Sequence, residues 1–165
     1  MDRRFFLGYC GVAGTSILFA SDPKPKRSLS KNAYELIAAV QRHMFPEATG
    51  IPSAVSFGAT QFLVEAIIHP LYDKDMRKYV IEGAEELQSR TKQKFLSFDE
   101  QEREESLRAY EKTAYGSGWL DRIMLLSLEG LLSDPIYGGN REKSGWKAVG
   151  TAGGDPEPQV RYAGL

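Results

Sequence analysis

Along this chain the apolar positions recur with the period of a helix and nowhere with the alternation of a half-buried strand. Ala33, Leu36, Ile37, Val40 and Met44 fall on one face, with Ser30 placed to cap the start and Pro46 to end the helix. Residues 50–56 read as a turn. Phe62, Leu63, Ala66 and Ile67 then mark a second helix that stops before Pro70. Asp73 or Asp75 opens a third, with Met76, Val80, Gly83, Ala84 and Leu87 inward. Ser97-Phe98-Asp99-Glu100 reads as a capping box, with Ser97 as N-cap and Glu100 reaching back. The fourth helix behind it is strongly charged, and Leu107 and Tyr110 give it a narrow apolar stripe. A fifth runs from near Ser117 through Trp119, Ile123, Leu126, Leu128 and Leu131 to about Ser133. The pattern predicts an all-α fold: a small bundle of about five helices over residues 30–133, followed by a long irregular tail over 134–165.

That tail breaks the helical habit. Asp134-Pro135-Ile136-Tyr137-Gly138-Gly139-Asn140-Arg141 leads into Gly145-Trp146, with prolines and further glycines beyond. Glycine and asparagine tolerate the positive φ that tight turns demand. Ile136, Tyr137, Trp146, Val149 and Tyr162 are costly to leave in water, so the tail is expected to dock. It can dock on this protein's own helices or on a partner, and the sequence leaves both open.

Composition narrows the class. The 165 residues, 42% apolar and 26% charged, suit one globular domain, and the net charge of −1 has no massed basic stretch. A nucleic-acid footprint is therefore not supported. The single cysteine, Cys10, excludes an internal disulfide. Residues 1–20 read as an export signal: Arg3-Arg4-Phe5-Phe6-Leu7, then a weakly apolar run to Ala20 rich in Gly, Thr and Ser. The paired arginines, with Phe6 and Leu7 behind them, resemble the twin-arginine signal, by which bacteria export proteins already folded. Ala20 suits cleavage but Leu18 does not, so removal and retention as an anchor both stay open. Residues 21–29 form a Pro/Lys/Ser linker.

The search for chemistry is negative. His43 and His69 stand near helix ends with no cysteine or carboxylate at ligand spacing, and His43 reads as a helix-end cation or a hydrogen-bonded boundary residue. No Glu-x-x-His pairs of a di-iron bundle occur. The glycines of residues 8–14 follow no strand, so they are no dinucleotide loop, and Ser117 lacks the frame of a nucleophile elbow. The carboxylates of residues 100–105 read as solvated surface.

The 134–141 run with Gly145-Trp146-Lys147 resembles the C-terminal hallmark of the gluconate 2-dehydrogenase subunit 3 family, and His43-Met44-Phe45-Pro46 is similar to that family's His-x-Phe-Pro element. The resemblance implies a small subunit of a membrane-bound, flavin-dependent sugar or sugar-acid dehydrogenase. It also implies that the large subunit carries FAD, that a cytochrome c subunit with haem c takes the electrons, and that this chain holds no cofactor, metal or catalytic residue of its own. On that picture Asp134, Pro135, Tyr137, Gly138, Gly139, Asn140, Arg141, Gly145 and Trp146 contact the large subunit. The twin-arginine translocase is then a second partner, and the periplasm, at the cytoplasmic membrane, the destination. The alternatives are a transient assembly chaperone, or a self-standing sugar-acid binder or enzyme using Asp134, Tyr137, Asn140 and Arg141.

Overall fold

The structure, a computed structural model, describes residues 29–48 and 50–161. The expected export signal, with Arg3, Arg4, Phe6 and Leu7, lies outside them, as does Tyr162. The described residues form seven α-helices and no strand: α1 Lys31–Met44, α2 Ala54–Phe57, α3 Ala59–Ile68, α4 Lys74–Arg90, α5 Glu100–Glu111, α6 Ala114–Leu132 and α7 Ser144–Ala148.

Helix α6 is the hub, packing against all six others. Its inward residues Trp119, Ile123 and Leu126 meet Leu36, Ile37 and Val40 of α1, Leu63 and Ile67 of α3, and Val80 and Leu87 of α4, while Leu131 packs with Ala54 and Phe57 of α2 and with Ala59. Helices α4 and α6 approach closely. A Cβ on Gly83 would overlap the Trp119 ring, so only glycine lets the two helices meet there. The fully buried Trp119 donates its indole N–H to the Val80 carbonyl at 3.0 Å, which satisfies its one polar atom. Truncating a tryptophan packed this way costs about 3–5 kcal/mol.

One buried polar link ties three helices. Gln41 of α1 donates to the Ser127 hydroxyl of α6 at 2.9 Å and accepts from Thr60 of α3 at 2.7 Å, while Ser127 donates to the Ile123 carbonyl at 2.7 Å. Every member has a partner, so the network fixes how the helices sit rather than weakening the core.

The all-α expectation holds, and Ser30 caps α1 as the pattern predicts. Asp73, of the two aspartates weighed, caps α4 by accepting from Met76 N–H at 2.8 Å. Four details are corrected. Residues 54–56, expected as part of a turn, join Phe57 in the short helix α2, because Ser53 caps it and buried Phe57 anchors it. The capping box belongs to Asp99 and Glu102, not to Ser97 and Glu100: Asp99 accepts from Glu102 N–H at 2.8 Å, and Glu102 accepts from Asp99 N–H at 2.9 Å. Ser97 instead ends a 3-10 turn, Phe95–Ser97, pinned by fully buried Phe95. Helix α6 starts at Ala114 rather than near Ser117, since Thr113 caps it through Gly116 N–H at 3.0 Å. The tail is not irregular throughout, because residues 135–148 form two 3-10 turns and α7.

Candidate functional site

The 134–148 segment folds into a knot against the C-terminal end of α6. A helix leaves its last carbonyls without internal partners, and here the knot supplies them. Trp146 donates its indole N–H to the Leu132 carbonyl at 2.8 Å. The Asn140 side chain donates to the Ser133 carbonyl at 2.8 Å and accepts from the Gly145 N–H at 2.8 Å. Those opposite demands fix which end of the amide is nitrogen and which is oxygen. Asn140 is fully buried, so this one residue staples the end of α6 to the start of α7.

The flanking residues serve the same geometry. Asp134 accepts from Ile136 N–H at 3.1 Å and so caps the 3-10 turn Pro135–Tyr137, whose first position Pro135 fills. Gly138 ends that turn at φ 91° beside the Glu65 carboxylate. A Cβ at Gly139 or Gly145 would overlap the carbonyl oxygens of Gly130 and Leu131. These glycines let the loop backbone touch α6 directly, and the space they leave is filled by this chain itself. Asn140, Glu142 and Lys143 adopt left-handed backbone at φ 44°, 56° and 58°. Such a conformation costs a non-glycine residue about 1 kcal/mol or more, so packing holds the loop in a strained path.

The following residues wrap the knot. Thr151 N–H donates to the Trp146 carbonyl at 2.9 Å, and the Gly153 backbone lies on the indole. Lys143 pairs with Glu157. Arg161 donates to the Ile136 carbonyl at 2.7 Å and lies 2.6 Å from the Glu65 carboxylate, tying the tail to α3.

The nine residues expected to contact a partner are therefore brought together, four of them buried in this chain, Asp134 and three others half-buried and one exposed. Gly139, Asn140, Gly145 and Trp146 are buried, with Trp146 only 7% exposed, and Pro135, Tyr137 and Gly138 are half-buried. Arg141 is exposed and reaches the Gln61 side chain of α3 at 2.6 Å. Of the two homes open to the Trp146 ring, the protein's own helices take it. Sequence reasoning missed the receiving carbonyls of α6, which carry no side-chain signal, and missed Gly58, whose lack of a Cβ makes room for the Arg141 side chain.

His43 gains a partner that sequence spacing could not supply. Its Nε2 lies 2.6 Å from Glu104 Oε2, joining α1 to α5. Glu104 is thus not a merely solvated carboxylate. Its hydrogen bonds with His43 first, and with Arg108 at 2.7 Å next, hold its carboxyl below the ordinary value. His69 accepts from Leu71 N–H at 3.2 Å. Among the described residues no three His, Cys, Asp or Glu side chains converge as a metal set, and no helix is long and apolar enough to cross a membrane.

Neither the curated proteins nor the solved structures gave a significant match. Residues 31–154, from the first turn of α1 past the buried Trp146, match the family model described as gluconate 2-dehydrogenase subunit 3. That span takes in every helix of the bundle and the whole knot on α6, and the chain belongs to the gluconate 2-dehydrogenase subunit 3 family.

Proposed function

We propose that this chain is the non-catalytic small subunit of a gluconate-type dehydrogenase, which binds the folded FAD-bearing large subunit, stabilises it and escorts it through twin-arginine export. The observation that carries this reading is the family match over residues 31–154, which makes the chain a subunit of a dehydrogenase complex. The Arg3-Arg4-Phe5-Phe6-Leu7 start supports the escort role, because a flavoprotein that folds around its cofactor before export needs a route for folded cargo. The glycine-rich turns support placing the flavin elsewhere, since the α6 backbone fills them. Electrons then pass from the large subunit to a cytochrome c with haem c, and the complex works in the periplasm at the cytoplasmic membrane.

Two measurements test this. Purifying the chain from its native host should bring down a large polypeptide with a flavin absorption spectrum, whereas the isolated chain should not oxidise gluconate with an artificial acceptor. Replacing Arg3 and Arg4 by lysine should strand both subunits and the activity in the cytoplasm. A large subunit still reaching the periplasm would end the escort reading.

A further inference from the structure

Between α1, α2 and α3 lies an open cleft of about 500 Å³. Its floor is apolar, built from Ala38, Ala54 and Val64, and Tyr34 and Val55 stand at its mouth, 43% and 61% exposed. Two arginines line it from separate elements. Arg42, in the last turn of α1, is exposed, and among the described residues its side chain makes no ion pair or hydrogen bond. Arg141 reaches in from the knot, lies against Gly58 and is held by Gln61, a neutral partner that leaves its charge uncompensated. The one carboxylate of the lining, Glu65, is engaged by Arg161.

The cleft thus joins an apolar floor to two uncompensated cations, one of them held by a hydrogen bond to Gln61. We propose that it receives a segment of the large dehydrogenase subunit in which an apolar anchor sits beside an acidic side chain. This rests on the reading of the chain as a complex subunit. Arginine and tyrosine are the residue types that carry binding energy at protein interfaces, and opposite charge fixes the register of the incoming chain. The protein's own residues 1–28 fit poorly, because they hold five basic residues against two acidic ones and would be repelled by Arg42 and Arg141. A second exposed apolar surface, Leu125, Leu128 and Leu132 on the outer side of α6, carries the exposed Glu129 carboxylate and is separate from the cleft and its two arginines.

The test uses the complex recovered through a tag on this chain. Arg42→Glu and Val55→Glu, each checked for an unchanged melting temperature of the isolated chain, should lower the flavoprotein recovered about tenfold, while Leu128→Glu should not. Arg42→Gln, which removes the charge without reversing it, should give an intermediate loss that shrinks as salt rises. A photo-crosslinking amino acid at position 55 should capture a large-subunit peptide containing Asp or Glu. Undiminished recovery with both glutamate variants would overturn the proposal, as would capture only of this chain's own residues 1–28 or 162–165. If the unmodified chain recovers no flavoprotein at all, the subunit reading falls with it; undiminished variants beside normal recovery sink the cleft alone.

Discussion

The side-chain amide of Asn140 donates to the carbonyl of Ser133 at 2.8 Å, and that bond seals the end of α6 with a residue seven positions on. Asn140→Asp keeps the shape and the tolerance of left-handed backbone but replaces the donor with an oxygen facing a carbonyl. A buried, mispaired carboxylate costs about 3 kcal/mol or more. Thermal unfolding of the isolated variant should therefore fall by about 10 °C. An unchanged melting temperature would show that the staple contributes nothing.

Trp146 separates packing from hydrogen bonding. Trp146→Phe loses the donor to Leu132 and part of the ring, for a cost of about 1–3 kcal/mol. Trp146→Ala also empties the pocket and should cost about 3–5 kcal/mol. Because the ring is buried within this chain, both losses should appear in the isolated protein before any partner is added. Equal melting temperatures for the two variants would contradict that.

Glu142 tests the strain in the loop. Its φ of 56° is left-handed, its side chain is exposed, and among the described residues it makes no hydrogen bond or ion pair. Glu142→Gly should be neutral or stabilising by up to about 1 kcal/mol, because relief of strain outweighs the freedom glycine gains when unfolded. Glu142→Val should destabilise, since a branched Cβ fits this conformation worst. The melting order Gly, Glu, Val checks the prediction.

The His43–Glu104 contact carries a pH signature. The folded-state value of Glu104 is lowered, so its contribution is complete above the unfolded value of about 4.3 and is lost as pH falls through the lower folded value. Glu104→Gln should flatten the acid side of the melting curve below about pH 4.3. An acid limb identical to the parent would remove Glu104 from the account.

The bundle was legible because its helices are amphipathic and capped by residues next to them in sequence: Ser30, Asp73 and Pro46 mark ends that local chemistry alone decides. The capping box was harder, since two overlapping frames, Ser97-x-x-Glu100 and Asp99-x-x-Glu102, offer the same local pattern. Burial of Phe95, a tertiary effect, selects the second frame. Helix α7 was illegible because five residues with a glycine among them have no period to read, and contacts with α6 hold them helical. The His43–Glu104 pair spans 61 positions, a distance over which spacing carries no signal.

Because Asn140 and Trp146 close the end of α6, the central helix cannot be completed by the residues that precede it. During synthesis α6 emerges with the Leu132 carbonyl facing water, and that carbonyl gains its partner only after fourteen further residues, from Leu132 to Trp146, have been added. A nascent chain halted before Trp146 would hold helices α1 to α6 and still lack the cap that binds the hub together. The knot therefore acts as a completion mark, so that a fully closed bundle reports a chain translated through Trp146.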